Sequence, residues 1–263
     1  MPCHTASLVA ADPVTALSLV AFLVGVVFLA SLWFTGARGS EEGGDGREAV
    51  ERASVSIVSK AVTVLKALFF DALLQRRLFQ QSGIRWLIHA LIFFPIVLRF
   101  SWGLLALIIS SCAPTYSFVW VMLDKNHPVT ALFFELTGFL IISGILLAVI
   151  RSARQERVPH LPGRDWLAFG LIGGLLVAGF ILEGMRIAMT GHRGFDAFIG
   201  SGIALLFSGI SGLSDIYGYV WYAHAILTGI LVAYFPFSRL FHIVMAPIVL
   251  VMRALNERER RLR

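Results

Sequence analysis

The sequence predicts an all-α integral membrane protein: a five-transmembrane-helix bundle with its N-terminus outside and its C-terminus in the cytoplasm. Three observations carry this reading. Of the 263 residues, 57% are hydrophobic and only 14% charged, too apolar a balance for a soluble domain. The apolar residues gather in five runs, each long enough to cross a bilayer core of about 30 Å as a helix. The 22 Lys and Arg are also lopsided. Eighteen fall in segments that share one side of the membrane, Lys125 and Arg193 fall on the other, and Arg99 and Arg186 lie inside helices. Basic residues collect on the cytoplasmic side, which sets the orientation. The net charge of +6 therefore fits basic cytoplasmic loops and excludes a nucleic-acid partner.

Met1–Pro13 holds no Lys or Arg. A cleavable secretory leader opens on a positive region, so an uncleaved, translocated N-terminus is expected. Residues 14–34 form the first expected helix. The loop from Thr35 to Gly83 opens charged and flexible, GARGSEEGGDGREAVER. It continues as a cytoplasmic amphipathic segment over 55–82, where Val62, Leu65, Phe69 and Leu73 recur at helical spacing beside Lys60, Lys66, Arg76 and Arg77. Such a segment lies in the membrane interface, either docking a partner subunit or resting on lipid alone. The second helix, 84–113, holds His89 near its start and Arg99 deep inside. The third, 129–150, follows a loop with Lys125 and His127 and contains Glu135. The fourth, 166–189, carries Glu183 and Arg186 near its far end. Thr190–Gly218 reads as a Gly/Ser-containing loop whose apolar part, Ala197–Leu213, lies on the surface as a lid. The fifth helix, 219–242, precedes a basic tail, NERERRLR. The whole reads as a single membrane domain, 1–263, and it shows no internal repeat of the kind that marks many secondary transporters.

The fifth run carries His224 near one end and His242 at the other, 18 residues apart. At about 100° per residue that spacing returns to one helical face, with the rings about 27 Å apart, or less if Pro236 bends the path. His89 enters its helix from the inner side and so shares a level with His242, while His224 lies near the outer face. Haem iron is commonly held by a His from each of two helices. His89 and His242 are therefore candidate ligands of an inner b haem, and His224 of an outer one; the plainer reading of each is a hydrogen-bonded structural histidine. Two cysteines, Cys3 and Cys112, with no CxxCH, exclude a four-thiolate iron–sulfur cluster within the chain and a c-type haem attachment. Both cysteines fall on the outer side, where they form a disulfide or stay as inert thiols. His4 and His160 lie in polar or loop segments and read as solvated.

The RW-x-x-H pattern at His89, and H-x17-H ending in YFPFSRLFH, resemble the gamma subunit of respiratory nitrate reductase. They also resemble the related cytochrome b subunits that pair with heterodisulfide-reductase-like iron–sulfur proteins. The resemblance runs from the second helix onward, shares the five-helix plan, and is most specific at YFPFSRLFH. In the nitrate reductase member, two histidines ten residues apart on the second helix and two eighteen apart on the fifth hold two b haems. Carried over, His89 and His242 match the inner ligands and His224 one outer ligand. The remaining position is Arg99, whose permanently protonated guanidinium does not ligate iron. Either the chain holds one haem, or His224 pairs with His127 or His192 at the outer helix ends.

Ionisable groups inside a membrane are costly and usually functional. Oxidation of a quinol needs a proton acceptor and a group to orient the ring oxygens. Glu135 or Glu183 suits the first role, and Arg186 or Lys125 the second, with the quinone near the outer side or, deeper, beside Arg99. The plainer alternative pairs Glu183 with Arg186 at i, i+3, and Arg99 with Glu135 or a haem propionate. The expectation is a multi-pass cytochrome b subunit of a respiratory complex in the inner membrane of a prokaryote. It passes electrons between a quinone, menaquinone or ubiquinone, and an iron–sulfur subunit docked on the cytoplasmic face, through one or two b haems. Its catalysis belongs to the complex rather than to the chain alone. The alternatives are a transporter or channel built on the buried Arg and Glu, and a redox-inactive membrane anchor.

Overall fold

A computed structural model describes residues 13–38, 57–154, 166–192 and 194–262. Among them the chain is predominantly helical, with no strand. Helix α1 is Pro13–Arg38, α2 Ile57–Lys66, α3 Arg76–Gln81, α4 Gly83–Cys112, α5 Ser117–Leu123, α6 Pro128–Arg154, α7 Trp166–Thr190, α8 Phe198–Phe207, α9 Leu213–Tyr234 and α10 His242–Leu262. A π-helical turn, Ala67–Leu73, continues α2, and three 3₁₀ turns punctuate the later chain. In a lipid core every backbone polar group must be satisfied within the protein, and helices do this internally. The chain is an all-α integral membrane protein.

Among the described residues, five helical stretches are long and apolar enough to cross a membrane: Gly83–Cys112, Pro128–Arg154, Trp166–Thr190, Leu213–Phe237 and Arg239–Arg258. The first expected helix, 14–34, lies within α1, whose described apolar stretch is Leu17–Leu29. Arg239–Arg258 was not expected as a span: its first residues fall in the expected fifth helix, 219–242, and only NERERRLR, from Asn256 on, was expected as a tail. Two supposed loops also contain helix: α5 lies within 114–128, and α8 within Thr190–Gly218. The N-terminal residues with Cys3 and His4, the charged stretch 39–56, the basic loop 155–165 with His160, and Arg193 lie outside the described residues.

The contacts divide the chain into two compact units, one within Met1–Ala21 and Leu87–Tyr234, the other within Phe22–Trp86 and Phe235–Arg263. In the first unit α7 is central, packed against α8, α9 and α6. Ala131, Ile187, Ala197 and Ala204 form its tightest apolar cluster. Lipid removes the usual hydrophobic incentive for helices to pair, so close approach over small residues must supply contact. Gly144 shows this: a Cβ there would stand 2.7 Å from Ile92 and 3.0 Å from Leu91 on α4. Trp102 of α4 stacks on Phe133 of α6, centroids 4.4 Å apart, and its Nε1–H donates to the Met122 carbonyl at 3.2 Å. One indole thereby joins α4, α5 and α6. Gly191, at φ +73°, ends α7 in the left-handed conformation that favours glycine, and its N–H donates to the Ile187 carbonyl at 2.8 Å.

In the second unit α10 packs along α2 and the π turn, and Arg258 donates to Thr63 Oγ1 at 2.6 Å. The amphipathic segment and the basic tail, far apart in sequence, thus form one body. The expected continuous helix 219–242 is interrupted: α9 stops at Tyr234, and the 3₁₀ turns Phe235–Phe237 and Arg239–Phe241 precede α10. The cause is local. Pro236 has no N–H to continue the helix. Ser238 turns extended, at φ −90° and ψ 166°, and its hydroxyl accepts from the Leu240 N–H at 3.1 Å. His224 and His242 therefore belong to different helices.

Gly25 of α1 lies against this link: a Cβ there would meet Pro236 Cβ at 2.9 Å and Phe237 Cζ at 3.0 Å. Phe22, one turn earlier, lies 6.0 Å from Phe235 between ring centroids. Gly25→Val should destabilise the protein by about 1–3 kcal/mol through overpacking. Thermal unfolding in detergent reads this out, and an unchanged midpoint would show that α1 does not brace the link.

Candidate functional site

The first unit buries a cluster of charged and polar side chains drawn from α4, α6, α7 and the turn before α6. Glu135 of α6 is fully buried. Its Oε1 accepts the Gly200 N–H at 2.7 Å and its Oε2 the Ile199 N–H at 3.3 Å, both from the first turn of α8. The free amides at a helix N-terminus suit an anion, so the carboxylate caps α8 from outside that helix. Gly200 has to be glycine for this approach, since a Cβ would stand 2.7 Å from Glu183 Cγ and 3.1 Å from Glu135 Oε1.

Arg99 enters from α4. Its Nε donates to Thr137 Oγ1 at 2.8 Å and its Nη2 to the Phe134 carbonyl at 2.5 Å, with the guanidinium carbon 5.2 Å from the Phe134 ring centroid. Gly138 leaves it room, because a Cβ there would come within 2.8 Å of Arg99 Nη2. Arg99 thus bonds a hydroxyl and a carbonyl of α6, while the Glu135 carboxylate goes to α8; the expected Arg99–Glu135 pair is not what forms. The expected pairing on α7 does form: Arg186 Nη2 lies 3.3 Å from Glu183 Oε1. Arg186 also donates through Nη1 to Asn126 Oδ1. Sequence reasoning missed Asn126, Thr137 and Gly200. Single amide, hydroxyl and glycine residues in helices and turns carry no signal that separates them from many others.

Lys125 completes the cluster. Its Nζ stands 3.0 Å above the Phe134 ring centroid, a cation–π contact. The residue as a whole stays exposed while its ammonium tip is shielded. Burial of that tip, reinforced by Arg99 and Arg186 and opposed by Glu183, lowers its pKa from 10.5 to about 7. The three cations Arg99, Lys125 and Arg186 therefore share their surroundings with two carboxylates.

The histidines are distributed as follows. His224 of α9 faces α7 at Gly179, where a Cβ would lie 3.6 Å from His224 Cε1. Gly179 is one turn, about 6 Å of rise, before Glu183. The Nδ1 of His224 is buried with no hydrogen-bond partner among the described residues. His89, in the first unit, lies beside Phe93 with centroids 5.5 Å apart. His242, in the second, places Nδ1 at 2.5 Å from the Arg239 carbonyl. A carbonyl only accepts, so Nδ1 carries a proton, and in a neutral ring Nε2 would be the nitrogen that binds a metal. That donor set fits an axial haem ligand. The two candidate outer partners are engaged locally: His127 Nδ1 accepts the Val129 N–H at 3.3 Å, and His192 Nε2 lies 3.1 Å from Asp196 Oδ2. Helices α4 and α9, which carry His89 and His224, are also the least covered of the first unit. Of their apolar windows 11% and 6% are buried, against 28% and 39% in α6 and α7. A bare apolar face of this kind suits lipid or an apolar cofactor.

No family model matches the chain, and no solved structure matches it. Curated relatives do. Over 261 residues the chain is 25% identical to one component of the dihydromethanophenazine:CoB–CoM heterodisulfide reductase of Methanosarcina thermophila, the subunit designated E, covering 90% of this chain and 88% of that one. It is 22% identical over 250 residues to the subunit of the same name in Methanosarcina barkeri, covering 89% and 88%. The likeness to the Methanosarcina mazei counterpart is 23% over 193 residues, covering 72% of this chain and 67% of that one. The chain is similar, over most of its length, to a subunit of a redox enzyme, on the heterodisulfide-reductase side of the resemblance read from its motifs.

The Lys125 shift sets a pH dependence. Between about pH 7 and 10.5 the unfolded chain holds a proton that folded Lys125 has lost, so stability rises with pH across that window. Below it both states are protonated and the burial penalty is constant. Lys125→Met should flatten the slope, as measured by unfolding midpoints in detergent at pH 6.5, 8 and 9.5. An equal slope in the variant would assign the titration elsewhere.

Proposed function

We propose that the chain is a membrane electron-transfer subunit, oxidising a quinol or a dihydrophenazine in the bilayer and delivering the electrons to an iron–sulfur partner on the cytoplasmic side. The observation that supports it most is the likeness to the heterodisulfide reductase component along nine-tenths of the chain. The name of that enzyme pairs a dihydrophenazine with a heterodisulfide. Quinols, menaquinol and ubiquinol included, share with dihydrophenazines the release of two electrons and two protons on oxidation. The buried cluster offers what such a substrate needs: carboxylates to take protons, and cations to hold ring heteroatoms in place.

His89 and His242 are each, by the resemblance of their motifs, candidate ligands of a b haem, and a haem would supply one-electron steps between substrate and partner. The Arg239 carbonyl orients His242 for that role. A second haem at His224 would need a ring nitrogen from another residue: His192, bonded to Asp196 through Nε2, keeps its Nδ1, whereas His127 already accepts through Nδ1.

The N-terminus-out, C-terminus-in orientation remains the reading that the charges favour. Arg239–Arg258 qualifies as a span by length, yet its uncharged core, Leu240–Met252, is 13 residues, roughly 20 Å against a core of about 30 Å. With Arg253, Glu257, Arg258 and Arg260 beyond it, α10 lies along the interface with α2. Helix α2, the π turn and α3 present Lys60, Lys66, Arg76 and Arg77 beside exposed Leu65, Phe69 and Phe79. This basic and apolar surface is where the iron–sulfur partner docks. Purification from native membranes should recover that partner with the chain, and repeated isolation of the chain alone with full activity would count against it.

His242→Ala should abolish the low-spin b-haem absorbance, and His89→Ala should do the same. A spectrum unchanged by His242→Ala sinks the ligand assignment.

A further inference from the structure

We infer that the two membrane carboxylates divide the work of this site: Glu183 takes the proton of the reduced substrate, and Glu135 is a positioning residue that locks α8 over it. The inference rests on the quinol- or dihydrophenazine-oxidising reading above.

The two groups differ in what they have left to offer. Glu135 is fully buried, and each of its oxygens already accepts an α8 amide, at 2.7 Å from Gly200 and 3.3 Å from Ile199. No substrate reaches it unless α8 moves. Glu183 is held on one side only. Its Oε1 lies 3.3 Å from Arg186 Nη2, its side chain is 14% exposed, and its Oε2 takes no hydrogen bond among the described residues. Arg186 is in turn anchored by Asn126. Glu183 thus has a fixed carboxylate with one oxygen still available.

The backbone of α8 runs between the two carboxylates. The space a Cβ of Gly200 would occupy is bounded by Glu183 Cγ, Ile187 Cδ1 and Glu135 Oε1. The hydrogen bonds that hold α8 to Glu135 therefore also hold it against Glu183. On either side of α8 the chain turns at glycines in the left-handed region, Gly191 at φ +73° and Gly209 at φ +83°. Lifting α8 from Glu135 uncovers Glu183 to the bilayer.

In the step itself an O–H bond of the quinol, or an N–H bond of the dihydrophenazine, breaks. Its proton bonds to Glu183 Oε2, and the electron leaves to the one-electron carrier named above. The groups around Glu183 are Arg186 on its own helix, Glu135 on α6, Lys125 and Asn126 before α6, Arg99 on α4, and His224 of α9 one turn away. α8 itself, FIGSGIALLF, carries no titratable side chain.

The test uses the complex purified from native membranes, with menadiol, duroquinol and a dihydrophenazine as reductants. Two quantities are measured: the rate of haem reduction against pH and reductant concentration, and amide hydrogen exchange across residues 199–207. Glu183→Gln should lower the maximal rate at least tenfold and remove its rise with pH, leaving α8 exchange unchanged. Glu135→Gln should keep the pH profile while raising α8 exchange at least tenfold and shifting the half-saturating reductant concentration several-fold. Gly200→Ala, which keeps both carboxylates, should reproduce the Glu135→Gln result. Loss of the pH profile in Glu135→Gln, or α8 exchange unmoved by Gly200→Ala, overturns the division of labour. Failure of all three reductants with the wild-type complex overturns the electron-donor reading and the Glu183 role with it, while the exchange data still decide the lock separately.

Discussion

A carboxylate fully removed from water must find its hydrogen bonds inside the protein or give up its charge. Glu135 finds them in the first turn of α8, and much of the first unit is arranged to permit this. Gly200 carries no side chain, so the α8 backbone can come within reach. Ala197 and Ala204, both fully buried, hold the 3₁₀ turn and α8 down on Ile187 and Ala131. Because Glu135 is committed to α8, Arg99 turns to Thr137 and the Phe134 carbonyl, and Lys125 settles on the other contact that Phe134 offers. One intramembrane anion thus organises a helix, two cations and an aromatic ring.

The all-α membrane class and four of the long helices were legible because hydropathy over about 20 residues is a strong signal and lipid admits few other structures. The end of α9 was not. YFPFSRLFH keeps four aromatic rings and a leucine beside its serine, arginine and histidine, and averaging over hydropathy hides the change of backbone at Pro236 and Ser238. The same averaging hid α8, whose short apolar stretch sits among glycine and serine, and α5, which is only 7 residues long. At the site, the depth of each charge along its helix was readable, and so was the i, i+3 spacing that pairs Glu183 with Arg186. The partners of Glu135 and Arg99 were not, because both bond backbone groups, and any residue can supply an amide or a carbonyl.

Kinship and geometry bear on different parts of the function. Likeness at 25% identity over nearly the whole chain points to a redox subunit without identifying the group that carries the electrons. The geometry supplies local chemistry: a His242 Nδ1–H donated to the Arg239 carbonyl, a buried His224 nitrogen with no hydrogen-bond partner among the described residues, and a cluster of opposite charges near it. Each supports the proposal from its own side.

The 3₁₀ link between α9 and α10 has a consequence for how sequences of this kind should be aligned. On an unbroken helix, adding one residue swings everything beyond it by about 100°. Across Phe235–Phe241 the chain already leaves helical geometry at Ser238, so an added or lost residue changes the length of a turn and leaves the orientation of α10 to its packing on α2. A changed interval between His224 and His242 would therefore not by itself turn α10 away from α2, and an alignment of such chains can admit a gap at this link.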